Sequence, residues 1–194
     1  KRKPVTESEK MIVNNYGTMQ YVLEQKDKTL TPEFIIEVQK RITKGTLEDP
    51  TDEGRYRNTN DIVVGDHLNP EVIAHVPPDY TKVPEMMEEL CAFANGDSED
   101  FLHPILKAIT LHFLIAYIHP FNDGNGRTAR SIFYWFLISK GYWLFEYLSV
   151  SRIIVRSRKQ YDLVYLYTEY DEMDLTYFFQ YNVRCITEAL EDLD

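Results

Sequence analysis

The chain has 194 residues, a length that favours one domain or one domain with a small appendage. Acidic side chains outnumber basic ones, 31 to 21, and the formal net charge of −10 argues against a protein that grips duplex nucleic acid, because phosphate contacts need a basic face. An apolar share of 44%, with 14 Tyr and 10 Phe, supplies a core filled with large rings.

Thr6 to Leu23 reads as a helix with an imperfect apolar stripe of Met11, Val13, Tyr16, Met19, Tyr21 and Leu23. Thr31-Pro32-Glu33 starts a second helix, with Thr31 as N-cap and Pro32 at the first helical position; Phe34, Ile35, Val38 and Ile42 form its inner face and Gly45 closes it. Glu48 to Asn60 is polar and turn-rich, hence loop. Asp61 to Gly65 and Val72 to Val76 are β-prone runs separated by turn residues around Asn69-Pro70, which predicts a hairpin over residues 61–76, ended by Pro77-Pro78. Val83 to Ala94 is a helix closed by Gly96, and His103 to Ile118 is another. Gly124 to Lys140 follows, stopped by Gly141. Ser157 to Tyr167 is a further helix, and Asp174 is an N-cap candidate for a last one through Phe178, Tyr181, Val183, Ile186 and Leu190. The sum is an all-α core of about seven helices with one small β-hairpin, each helix too short to stand unpacked.

Lys1 to Lys10 is polar with no apolar run behind it, unlike a signal peptide. The most apolar region, Ile132 to Val150, is broken by Ser139-Lys140-Gly141 and Glu146, so it reads as a buried helix and its exit, not a membrane span. Cys91 and Cys185 match no metal spacing and read as buried thiols in a reducing compartment, which makes a cytoplasmic protein the expectation. Acidic clusters at Asp97 to Asp100 and Glu169 to Asp174 read as solvated surface. The chain opens on Lys and ends within helical pattern, which suggests a piece of a longer protein.

The stretch that carries chemistry is His119-Pro120-Phe121-Asn122-Asp123-Gly124-Asn125-Gly126-Arg127-Thr128-Ala129-Arg130, set between two helical segments. Its inventory is that of a triphosphate site. Gly124 and Gly126 let backbone approach an anion, and the free N–H groups and dipole of a starting helix favour negative charge. Arg127 and Arg130 stand three apart and share a helix face. Asp123 is the one carboxylate and suits Mg²⁺, commonly held by one or two carboxylates plus phosphate oxygens. His119 ends the preceding helix with a group that exchanges a proton near neutral pH. His112 lies one heptad before it and reads more readily as a core histidine, while His67 and His75 belong to the hairpin.

This stretch resembles the signature of the Fic-domain family, His-x-Phe-x-(Asp/Glu)-Gly-Asn-Gly-Arg-x-x-Arg, with every specified position filled. Gly54-Arg55-Tyr56-Arg57, His75-Val76-Pro77-Pro78 and Arg158-Lys159-Gln160-Tyr161 also look like family sequence, so the likeness covers roughly residues 10–190 of a single domain. The resemblance implies a Fic-type helical bundle with the hairpin as a flap, and transfer of AMP from ATP to a protein hydroxyl. His119 would then be general base, Asp123 the Mg²⁺ ligand, and Gly124, Asn125 and Gly126 the anion cradle, with the Asn125 side chain an added donor. Arg127 and Arg130 would pair with the outer phosphates, and Tyr161 would line the adenine pocket or serve the core. Phe121 would anchor the loop. A target segment would dock by adding a strand to the flap edge over residues 61–76.

Two departures bear on this. Family members often carry an inhibitory helix, (Ser/Thr)-x-x-x-Glu-(Gly/Asn); the nearest match, Thr187 to Asp192, ends in Asp and reads as a helix end, so an inhibitory segment would lie outside this chain. Doc-type relatives replace the Gly-Asn-Gly core and act as kinases, whereas Gly124-Asn125-Gly126 is intact, which favours nucleotidyl transfer. Transfer of another nucleotide, removal of AMP, and a silent nucleotide-binding module remain alternatives.

Overall fold

Thr6 Oγ1 accepts a hydrogen bond from the Glu9 N–H at 3.2 Å, and the Glu9 carboxylate accepts one from the Thr6 N–H at 3.1 Å. This capping box opens helix α1 (Glu7–Glu24). Thr31 caps the next helix through the Phe34 N–H at 3.2 Å, and Pro32 begins α2 (Pro32–Thr43). The structure, a computed structural model, describes residues 3–65, 73–96 and 101–193. The expected turn at Asn69-Pro70, His67, and the acidic cluster Asp97 to Asp100 lie outside the described residues.

After a short 3₁₀ turn at Pro50–Asp52 come two brief strands, β1 (Val64–Gly65) and β2 (Ile73–His75). They pair antiparallel, Val64 opposite His75 and Gly65 opposite Ile73, with an irregular step between. Away from the turn, this pairing starts at Val64 and ends at His75, inside the expected limits of Asp61 and Val76. A second 3₁₀ turn (Tyr80–Lys82) leads into α3 (Val83–Asn95), followed by α4 (Pro104–Ile118) and α5 (Asn125–Ser139). Past Gly141, at φ +87°, a 3₁₀ turn (Trp143–Glu146) leads to α6 (Val150–Arg156), α7 (Arg158–Tyr170) and α8 (Thr176–Glu191).

The described residues therefore hold eight α-helices where about seven are expected. The extra one is α6. Val150, Ile153 and Ile154 give it poor intrinsic propensity, but all three are buried, and packing against α8 holds seven residues in helix. The last helix begins two residues past Asp174, whose carboxylate still accepts the Thr176 N–H at 2.8 Å.

One apolar cluster runs from Val22 to Ala189, with α5 at its centre: Ser131 through Ile138 are all buried, so this segment has no polar face. Helices α4 and α5 pack most extensively on each other. Helices α1 and α2 cover α5, while α3 and α8 cover α4. The loop 119–124 joins the two central helices, and the surrounding elements fix it from several sides. Cys91 and Cys185 are both buried free thiols.

Candidate active site

Helix α4 stops because His119 adopts the left-handed conformation, φ 49° and ψ 57°, with its N–H still bonded to the Ile115 carbonyl at 3.1 Å. Pro120 follows and cannot continue the ladder. The His119 Nδ1 lies 3.3 Å from the Ala116 carbonyl oxygen. That oxygen only accepts, so Nδ1 carries the hydrogen and Nε2 keeps its lone pair. Burial lowers the ring's pKa to about 4, with the charges of His75 and Arg57 adding to the effect, so the imidazole is neutral at physiological pH.

The turn is held from outside by Arg57, only 3% exposed. Its Nε donates to the His119 carbonyl at 2.9 Å, Nη1 to the Thr59 carbonyl at 3.0 Å, and Nη2 to the carbonyls of Pro78 and Ile118. Its own backbone N–H donates to the Pro120 carbonyl at 2.9 Å. A planar fork thus satisfies the orphan carbonyls at the end of α4. Gln39 does the same for the next part of the loop. Fully buried on α2, it donates to the Asp123 carbonyl at 3.2 Å and accepts the Gly54 N–H at 2.7 Å. Sequence reasoning assigned neither residue a role; the available signal was Gln39, a polar side chain set among the apolar residues of the α2 inner face.

Phe121, fully buried against Tyr56, anchors the loop as expected. The Asn125 side chain also supports the loop. Its Oδ1 accepts the Phe121 N–H at 2.9 Å and its Nδ2 donates to the Phe121 carbonyl at 2.7 Å. It braces the loop by pairing backbone groups that would otherwise be buried unpaired, and Nδ2 carries a second hydrogen beyond the one given to Phe121. Gly124 has φ +85°, and a Cβ there would stand 2.5 Å from Thr43 Cγ2, so only glycine fits. The first N–H groups of α5, from Asn125 to Arg127, have no intrahelical acceptor, as at any helix start.

Asp123 is 60% exposed. Its Oδ1 accepts the Gly124 N–H at 2.5 Å, and its Oδ2 pairs with Arg127 Nη2 at 3.0 Å. Arg127 also donates to the Ile42 carbonyl at 3.4 Å. Arg130, half-buried, has no carboxylate or carbonyl partner among the described residues. The Thr187 to Asp192 segment does not supply one: Asp192 pairs with Arg152 and Arg156 at the end of α8. No three His, Cys, Asp or Glu side chains converge among the described residues. Asp123 is thus a lone carboxylate, a donor set that fits Mg²⁺ bound mainly through phosphate oxygens.

A cavity of about 150 Å³ opens beside the loop, lined by His119, Asn125, Gly126, Tyr161, Tyr165 and Arg158 among others. It is smaller than the roughly 300–1,000 Å³ of a full ligand pocket and suits part of a ligand. Tyr161 is a core residue that also borders this cavity. Its hydroxyl is tied to His112 Nε2 at 3.0 Å and to the Tyr165 hydroxyl at 3.1 Å. His112 is fully buried among Phe133, Tyr161 and Phe178, a core residue that orients Tyr161 and not the loop. A larger recess of about 460 Å³, between α1 and α5, holds Arg127 and Arg130.

Residues 29–137 match the profile of the Fic/DOC family. The protein adenylyltransferase Fic of Nematostella vectensis is 29% identical over 167 residues, 86% of this chain and 35% of that one. That of Drosophila grimshawi is 32% identical over 113 residues, 58% and 21% of the two chains. The chain therefore spans about a third or less of the length of these relatives. Among solved structures, a Fic family protein from Desulfovibrio desulfuricans G20 superposes with a TM-score of 0.78 at 22% identity, over 100% of this chain and 55% of that one. Fic-1 from C. elegans gives 0.70 at 18%, over 97% and 53%. At such identities the superpositions speak for the fold alone, while the profile match covers more than half of the sequence, from before α2 through most of α5. The chain belongs to the Fic/DOC family.

Proposed function

We propose that the chain transfers AMP from ATP to a Ser, Thr or Tyr hydroxyl of a target protein and releases pyrophosphate. One observation carries the reading: His119 and the start of α5 border the same cavity, so a base and an anion cradle face one reacting centre. A hydroxyl that reaches His119 Nε2 gives up its proton there while its oxygen attacks the α-phosphorus. The bond from that phosphorus to the bridging oxygen breaks, and its electron pair leaves with pyrophosphate. The N–H groups of Asn125 and Gly126, with the Gly124 backbone beside them, cradle the phosphates, and Arg127 and Arg130 hold their outer oxygens. Arg127 would exchange Asp123 for phosphate on binding, which frees the carboxylate. Asp123 and phosphate oxygens would hold Mg²⁺, whose charge offsets that building on the leaving group.

The base would lie against Tyr161 and Tyr165, and the target segment would run along the edge of the β1–β2 pair. A regulating carboxylate, if one exists, has Arg130 to pair with and would come from outside the described residues. Free buried thiols fit a reducing compartment such as the cytoplasm; no helix among the described residues is long and apolar enough to cross a membrane. The relatives named protein adenylyltransferases support the reaction class.

The test uses ATP labelled on the α- or the γ-phosphate, with Mg²⁺ and a cell lysate, beside His119→Ala. Label on protein from the α-position only, lost in the variant, is the expected result. Protein label from the γ-position would make the chain a kinase, and faster labelling with GTP or UTP would change the nucleotide.

A further inference from the structure

Among the described residues, His75 ties strand β2 to the lining of the smaller cavity. His75 Nδ1 lies 2.9 Å from Glu169 Oε2 on α7, and its Nε2 lies 2.8 Å from the carbonyl oxygen of Tyr117, two residues before His119. Carboxylate and carbonyl oxygens only accept, and a neutral imidazole has a single N–H to offer. Satisfying both partners takes a hydrogen on each nitrogen, which makes His75 an imidazolium with Glu169 as its counter-charge. The two side chains are 9% and 22% exposed, so solvent screens the pair little. The neighbouring charges leave Glu169 to His75: Arg158 and Asp162 of α7 pair with each other at 3.1 Å, and Arg57 is committed to backbone carbonyls.

The contact joins three elements around the reacting centre. Val64 is opposite His75 in the strand ladder, so whatever fixes His75 fixes both strands. Val64, His75, Tyr117, His119 and Glu169 all border the same cavity. The strand edge is thereby referenced to the same helix end that carries the base. We propose that the His75–Glu169 pair is a charged latch that sets the distance and register of this edge from His119, which makes both positioning residues for transfer to a hydroxyl presented by a polypeptide. The inference rests on the proposed transfer reaction. Transfer to water needs no strand edge, and that difference separates positioning from general damage.

The test compares wild type with His75→Gln and Glu169→Gln, using α-labelled ATP, Mg²⁺ and a cell lysate. Two products are counted, label on protein and AMP released to water. Misplaced reacting groups cost up to about 10²-fold in rate, and both variants are expected to lower the ratio of protein label to released AMP by about tenfold, with AMP release falling far less. Equal loss of both products, or an unchanged ratio, overturns the latch. The latch is also read without turnover, in the long-range ¹⁵N–¹H spectrum of the imidazoles at neutral pH. His75 is expected with both nitrogens protonated in wild type and one bare nitrogen in Glu169→Gln; a bare nitrogen in wild type overturns it. A wild type that transfers nothing sinks the proposed function, and the spectrum still judges the latch.

Discussion

At the scale of single residues the site depends on one proton and one missing carbon. An ordinary histidine of pKa about 6.5 would lose its basic form below that pH. Burial of His119 lowers the value to about 4, so the folded protein keeps the imidazole neutral through mild acid. The acid limb of kcat/KM for protein labelling is expected well below pH 6.5 and to vanish with the residue. His119→Ala is expected to lose about 10²–10⁴-fold. A limb at 6.5 would show that His119 is solvated in the working enzyme. The missing carbon belongs to Gly124. With φ at +85° and Thr43 Cγ2 at 2.5 Å from any Cβ, Gly124→Ala meets both backbone strain and a clash. A loss of about 1–3 kcal/mol in urea unfolding is expected, together with weaker ATP binding, because the cradle shifts with the backbone.

At the scale of elements, the sequence exposes what is local and hides what is assembled. Helix starts were legible at Thr6 and Thr31, because there a side-chain cap bonds within a few residues. Helix α6 was not, since packing and not propensity makes it helical. Arg57 was legible only as part of a family-like run. Its role depends on carbonyls at positions 118 and 119, more than sixty residues on, which no periodicity brings near it. The strap it forms is testable by Arg57→Lys, which keeps the charge but loses the fork. A lysine cannot reach the spread of carbonyls, so buried acceptors at the end of α4 go unpaired, at about 1–3 kcal/mol each. Urea unfolding should report that loss. Protein labelling should fall further than stability alone explains, because His119 takes its orientation from the same turn.

At the scale of the molecule, the helical class and the family were legible in the chain, because helix periodicity is local and the motif packs its signature into consecutive residues. The side-chain geometry was not. Asn125 turns to the loop because the Phe121 backbone would otherwise be buried unpaired, and Tyr161 combines core and cavity through His112. That network makes pH a global variable. Burial drives the His112 pKa down to about 3 and that of His119 to about 4, so both are neutral when folded and protonate near 6.5 when unfolded. A depressed histidine pKa means that the unfolded chain binds protons first, so stability is full above about pH 6.5 and drains as pH falls towards 4. For His112 alone the loss between pH 7 and pH 5 is about 2 kcal/mol, or about 4–8 °C in melting temperature for a domain of this size. His119, less enclosed, adds a smaller part. His112→Phe keeps a ring among Phe133, Tyr161 and Phe178 and removes the titrating group. Its melting temperature is expected to fall less steeply over the same pH interval, whatever its value at pH 7. Parallel slopes for the two proteins would mean that His112 meets water in the native state, and the closed aromatic core behind Tyr161 would have to be redrawn.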